Sequence, residues 1–308
     1  MRILITGSSG FIGGTVGRFA ARAGHQVLGI ARRSQPDRDW PGEHLPADVA
    51  HADLTETIER FAPDVVLHGA GTASVGASLK APLEDLRAAA MTWANVLDNV
   101  RRSKVRPLLI FPSSAAVYGN PKELPVREDA PVNPISPYGF HKAACELLAR
   151  EYADCFGLRI IVCRIFSVFG PAQRRLLVWE LYEQLAGPEP VVWLQGTGRE
   201  SRDFLYADDL ASAMLCIARP SGQHMEANGC QFVNMGRGVE TPVRELAEQL
   251  GRIVAPQKEI RCRGVERPGD PMRWRGETTR LKKMAPDWNV DSLASSLEKC
   301  ARIWRGQA

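Results

Sequence analysis

Arg2-Ile3-Leu4-Ile5-Thr6-Gly7-Ser8-Ser9-Gly10-Phe11-Ile12-Gly13 is the stretch whose reading decides the fold. Ile3, Leu4 and Ile5 run without the polar alternation of a one-sided strand, so they read as a strand covered on both faces. Gly7, Gly10 and Gly13 follow at once. After them Ile12, Val16, Phe19, Ala20 and Ala23 recur at helical spacing, and Gly24 closes the helix. In a strand–turn–helix setting glycine permits the tight turn, lets backbone approach a pyrophosphate, and lets helix pack close on strand. The helix N-terminus then offers free N–H groups and a partial positive charge. A dinucleotide site is expected here, with Gly7, Gly10, Phe11, Ile12 and Gly13 in contact.

Working outward, Gln26–Ala31 and the runs 64–68, 107–112 and 159–164 are further strands of the same doubly covered type. Helical patterns over 83–102 and 137–156 lie between them. This alternation predicts an α/β, Rossmann-type doubly wound parallel sheet. Beyond about residue 168 the rhythm changes: helices over 176–185, Ala207–Ile217 and 242–250 alternate with brief strands at 190–194 and 232–235. Segment 261–277 reads as loop and short strand. The expected organisation is a dinucleotide-binding domain over 1–168, with 203–221 and 232–256 packing back on it. Residues 169–202 and 257–308 then form a smaller, interleaved substrate region.

Composition narrows the class. With 308 residues, 44% hydrophobic and 24% charged, the chain is an ordinary globular one. A net charge of +4 is too mild to argue for nucleic acid. No apolar stretch approaches the ~20 residues that a membrane span needs, and residue 2 already belongs to a strand, so a soluble cytoplasmic protein is expected. Seven scattered cysteines without a Cys-x-x-Cys pair suggest reduced thiols. His44, His51 and Asp53 lie near one another, but without metal-ligand spacing no metal is expected.

The end of the second strand bears on which dinucleotide binds. Where an acidic residue would hold ribose hydroxyls stand Ala31, Arg32 and Arg33. Guanidinium forks suit a 2′-phosphate, so NADP(H) is favoured over NAD(H). Asp53 and Leu54 are expected at the adenine. Gly69, Ala70 and Gly71, ending the fourth strand, would let the chain pass close to the cofactor.

The chemistry is expected from Tyr138-Gly139-Phe140-His141-Lys142, with Ser114 upstream. Ser136 reads as an N-cap and Pro137 as the first helical residue, so Tyr138 and Lys142 share a helix face. A phenol titrates near ~10, too high for a base at neutrality. A neighbouring ammonium and an oxidised nicotinamide both favour the phenolate. Tyr138 can then accept and return a hydroxyl proton as hydride moves. Ser114 follows the strand 107–112, where open α/β sheets bind ligands, and its hydroxyl would fix the reacting oxygen.

These motifs resemble the extended short-chain dehydrogenase/reductase family, above all its sugar-nucleotide epimerases, dehydratases and ketoreductases. Val75–Pro82 looks like the loop after the fourth strand in the epimerases, and Ser113-Ser114-Ala115-Ala116-Val117-Tyr118-Gly119 resembles the family's serine segment. The resemblance makes Ser114 the catalytic hydroxyl, with Ser113 the runner-up. It places Phe166 at the cofactor and Ser167 at the substrate, where Ser167 replaces an asparagine; Ala88 replaces another. Gly196–Phe204 and Arg267–Asp270 resemble the nucleotide-binding stretches, which implies that Arg202 and Arg267 clamp a diphosphate and Asp270 reaches the nucleoside. Dehydratases carry Asp-Glu after the catalytic hydroxyl; Ala115 and Ala116 stand there, which speaks against 4,6-dehydration. A homodimer through the helices 83–102 and 137–156 is implied as well. The expected activity is an NADPH-dependent 4-keto sugar-nucleotide reductase. The alternative is an NAD-dependent nucleotide-sugar 4-epimerase, for which the loop 75–82 speaks. A non-catalytic dinucleotide sensor is a third reading, but such proteins usually lack the tyrosine or the lysine.

Overall fold

The computed structural model describes residues 1–37, 39–219, 229–265 and 271–306. Seven parallel strands form the main sheet in the order Gly229–Met235, Arg159–Ile165, Leu108–Ser114, Val65–His68, Arg2–Thr6, Gln26–Ala31, Glu43–Pro46. The chain starts near the middle, fills one side, then crosses to Val65–His68 and fills the other. That reversal opens a crevice beyond the carboxyl ends of Arg2–Thr6 and Val65–His68, where open α/β sheets hold ligands.

Strand geometry sends alternate residues to opposite faces, and both faces are buried. Ile3 and Ile5 join Val27 and Leu67 beneath the helices Phe11–Arg22 and Ala207–Ile217. Leu4, Leu28 and Val66 pack on the other face against Thr55–Phe61, Thr92–Arg102 and Pro137–Phe156. This double cover explains the uninterrupted apolar runs in the sequence.

A third core lies outside the sheet. Leu181 and Leu185 of Leu177–Ala186, Leu246 and Leu250 of Val243–Val254, and Leu297 of Leu293–Trp304 meet there. The strands Val191–Leu194 and Glu259–Cys262 pair in parallel beside it. The helix of residues 243–254, expected to return to the large sheet, thus turns its apolar face to this third core. By contrast Gly229–Met235 joins the sheet and Ala207–Ile217 packs on it.

The helical stretch expected over 83–102 is broken. Pro82–Leu86 leads into a π-helical turn, Arg87–Met91, before Thr92–Arg102 resumes. Thr92 Oγ1 donates back to the carbonyls of Ala88 at 2.7 Å and Ala89 at 3.2 Å, competing with the backbone ladder where it widens. Val75–Lys80, expected as loop, is a short helix capped by Ser74. Among the described residues no helix is long and apolar enough to cross a membrane.

Candidate active site

The glycine turn is a steric fit to the crevice. Gly7 has φ +68°, and a Cβ there would stand 2.5 Å from the backbone of Gly69 and Ala70. A Cβ on Gly13 would stand 2.4 Å from the Gly7 carbonyl oxygen. Strand end, helix start and the neighbouring strand therefore touch through bare backbone. Gly10 caps the helix without a side-chain bond, so the N–H groups of its first turn stay open to an anion. A cradle that any side chain would fill, ending in uncapped N–H groups, fits the pyrophosphate of a dinucleotide. Phe11 leans toward Gly170, and Gly71 takes φ +128° at the far side of the crevice.

At the end of Gln26–Ala31, Ala31 is buried and Arg32 exposed. Arg33 pairs with Asp37 at 2.6 Å. Asp53 and Leu54 are otherwise engaged. The Asp53 carboxylate accepts the Thr55 N–H at 3.0 Å and faces Arg102, which together hold its pKa down to about 2. The Leu54 N–H goes to Asn99 Oδ1 at 2.7 Å. The residues that directly follow the third strand, Glu43–Pro46, are Ala47, Asp48 and Val49, with Asp48 exposed and Val49 buried. Asp48 is therefore the first acidic residue after the third strand, five positions before Asp53.

Ser114 is the last residue of Leu108–Ser114 and caps the following turn, its Oγ accepting the Ala116 N–H at 3.2 Å. Its own O–H proton is left to donate. Ser136 caps the tyrosine helix through the Gly139 N–H at 3.3 Å, with Pro137 in the first turn as expected. A Cβ on Gly139 would lie 2.6 Å from the Ala116 carbonyl, so the start of this helix abuts the serine turn. The Tyr138 N–H donates to the buried Ser78 Oγ at 3.0 Å. Lys142 is buried, donates to the Pro112 carbonyl at 2.9 Å, and stands 4.8 Å over the Phe111 ring and 5.9 Å from the Tyr138 ring. Beneath it His68 is sealed between Thr6, Trp93 and Phe111; burial and then the Lys142 charge push its pKa down to about 3, so it is neutral.

Ser113 and Ser114 separate cleanly. Ser113 Oγ donates to Glu146 Oε1 at 2.6 Å, and Glu146 is buried against Arg164 at 2.8 Å. Arg164 also donates to Tyr118 Oη at 3.0 Å, which donates to Asn234 Oδ1 at 2.7 Å. Burial pushes the Tyr118 phenol up to about 12. Ser113 thus belongs to a closed polar network, and Ser114 is the hydroxyl at the sheet's edge. Ala115 and Ala116 are buried and offer no acid or base.

Of the expected substrate contacts, the Ser167 N–H donates to the Asp203 carbonyl at 2.9 Å. Arg202 is buried, donates to the Ser201 carbonyl at 2.8 Å and lies 5.5 Å over the Trp274 ring. Phe166, expected at the cofactor, packs with Tyr118 and edge-on to Trp274, on the Ser114 side of the crevice. Arg267 and Asp270 lie outside the described residues.

The pattern that defines the NAD dependent epimerase/dehydratase family matches residues 3–228. The chain belongs to that family. Over 321 residues it is 30% identical to a UDP-glucose 4-epimerase of Mycolicibacterium smegmatis, covering 100% of both chains. It is 27% identical to a UDP-glucuronate 4-epimerase of Thermodesulfobacterium geofontis, covering 96% of this chain and 94% of that one. A solved UDP-glucose 4-epimerase of Thermotoga maritima with UDP-glucose superposes with a TM-score of 0.85 at 27% identity, over 99% of each chain. As a family member the chain is an enzyme of the sugar-nucleotide class that works with a nicotinamide dinucleotide. Two expectations shift here. The relatives named here are 4-epimerases, which favours the alternative over the 4-ketoreductase, and nothing in them supports the preference for NADP.

Proposed function

We propose that the chain is a nucleotide-sugar 4-epimerase in which Ser114, Tyr138 and Lys142 move the proton at C4. What carries the reading is the joining of the serine strand to the tyrosine helix at two heights, Gly139 against Ala116 and Lys142 on Pro112, in a chain matching epimerases end to end. The dinucleotide, cradled by Gly7, Gly10, Phe11, Ile12, Gly13 and the 69–71 turn, supplies the hydride acceptor and donor when bound. Tyr138 takes the proton of the C4 hydroxyl and returns it to the same oxygen once the sugar has turned over to present the other face of C4. One N–H of the Lys142 ammonium is spent on Pro112, which aims the remaining donors at the ribose and keeps the positive charge beside Tyr138, favouring its phenolate. Ser114 donates to the reacting oxygen and fixes it. Arg202 and Arg267 hold the diphosphate, and Ser167 and Asp270 line the sugar and nucleoside.

A second reading, an NADPH-dependent 4-ketoreductase, is favoured by one observation: no carboxylate ends the second strand, and Arg32 is exposed there. The test is conversion of UDP-glucose to UDP-galactose without added dinucleotide, with mass spectrometry of the small molecules released on denaturation. Epimerisation with a dinucleotide carried through purification is expected, and Tyr138→Phe should slow it by about 10²–10⁴-fold. Stoichiometric consumption of NADPH on a 4-keto sugar nucleotide, without epimerisation, selects the second reading.

The assembly is a homodimer in this proposal. Leu79, Leu83, Met91, Phe140, Leu147 and Phe156 are exposed apolar residues on the helices of 75–102 and 137–156. A two-fold axis would bury that face against its copy.

A further inference from the structure

On the substrate side one buried carboxylate collects three backbone N–H groups. Asp203, with no exposed surface, accepts from Arg237 N at 2.7 Å, Gly238 N at 2.9 Å and Gly276 N at 3.1 Å. Burial pushes its pKa up while those N–H groups and the Arg237 charge pull it down. Each chain segment that meets there brings an arginine: Arg202 beside Asp203, Arg237 in the turn after the edge strand Gly229–Met235, and Arg275 beside Gly276. Arg237 and Arg275 are half-buried, and the Nε of each is buried without a hydrogen-bond partner.

The carboxylates packed around them are taken. Glu240 accepts from Arg273 at 2.7 and 2.8 Å and from Ser201 at 2.5 Å, and Glu277 accepts the Thr279 N–H at 2.8 Å. A buried guanidinium Nε without an acceptor, in each of two half-buried arginines, is costly by desolvation. An oxyanion bound at these Nε atoms removes that penalty, and arginine forks match such a group. The segment is joined to the serine turn: Trp274 Nε1 donates to the Gly119 carbonyl at 3.0 Å, and a Cβ on Gly276 would stand 2.8 Å from the Phe166 ring.

We propose that Arg237 and Arg275 form an oxyanion subsite adjoining Arg202, with Asp203 as the positioning residue beneath it. The inference rests on the sugar-nucleotide reading and deepens it. The occupant is an oxyanion of the substrate, supplied either by the diphosphate or by a sugar carboxylate such as that of a uronic acid.

Calorimetric titration of UDP-glucose and UDP-glucuronate into wild type and the Arg237→Gln/Arg275→Gln double variant tests this, with dinucleotide binding as the folding control. Loss of about tenfold or more in affinity is expected for a charge-assisted pair, at unchanged dinucleotide affinity. Loss with both ligands assigns the diphosphate, and loss with UDP-glucuronate alone assigns the carboxylate. Unchanged affinity for both overturns the subsite. Asp203→Asn should weaken the same ligand as the double variant does. If wild type binds neither ligand, inorganic pyrophosphate is the probe. Its binding to wild type but not to the double variant keeps the subsite and removes the sugar-nucleotide reading. Equal or absent binding removes the subsite too.

Discussion

Two adjacent serines show how a single residue step divides structure from chemistry. Successive residues of a strand point to opposite faces, so Ser113 and Ser114 cannot share a role. Ser113 faces inward to Glu146, part of a buried ion pair with Arg164. Removing its hydroxyl strips a donor from a buried carboxylate, at a cost of about 1–3 kcal/mol. Ser113→Ala is accordingly expected to lower the denaturation midpoint with kcat little changed. Ser114→Ala should do the reverse, slowing turnover by about 10²-fold with the midpoint held. Equal effects of the two on kcat, measured alongside urea unfolding, would remove the distinction. The family resemblance already put Ser114 ahead of Ser113, and the direction of each side chain gives that order a physical reason.

At the scale of elements, the helix Ala207–Ile217 carries a titratable joint. Asp209 is buried in its first turn, accepts the Asp291 N–H at 3.2 Å, and its carbonyl accepts Trp288 Nε1 at 2.9 Å. Burial raises its pKa from the ordinary 3.8 to about 6; the hydrogen bond from the Asp291 N–H and the Lys299 charge oppose the rise, and the Asp291 and Asp208 charges add to it. A raised carboxyl contributes stability that is whole below its unfolded value and is lost as pH climbs through the folded one. Asp209→Asn should therefore gain melting temperature relative to wild type at about pH 7 and not at about pH 4, as read by differential scanning fluorimetry. A constant offset between the two pH values would exclude Asp209 as the cause. Such joints were not legible beforehand, because they bring together residues 82 apart in the chain. Elements with local punctuation were. Ser136-Pro137 and Gly157 bracket the tyrosine helix, and the apolar runs mark the central strands. Glu43–Pro46, with one apolar residue, carries no such mark, and its end at Pro46 was not legible in the sequence. Likewise Leu246 and Leu250 announce an amphipathic helix without saying which of two cores it faces. The arginines around Asp203 come from segments 34 and 73 residues away, beyond the reach of any spacing rule.

For the whole molecule, the exposed apolar side chains of the two helical stretches set the expected assembly. Phe140 and Leu147 are 59% and 68% exposed on the helix that carries the tyrosine. Phe140→Glu/Leu147→Glu should turn a dimer in light scattering into a monomer; a wild type that is already monomeric would end the dimer proposal. The order of the sheet has another consequence, in the time taken to make the chain. Leu108–Ser114 and Arg159–Ile165 leave the ribosome well before Gly229–Met235, which covers the open side of Arg159–Ile165 and brings Asn234 to Tyr118. Until that late segment emerges, the nascent chain displays a long apolar strand with one unpaired edge, the kind of template on which wrong partners assemble. A chain stopped at residue 228 should fall into the insoluble fraction while the full chain stays in solution, and equal solubility of the two would show the edge to be harmless. The newborn sheet, on this view, becomes safe only when ribosomes have passed its last strand, Gly229–Met235.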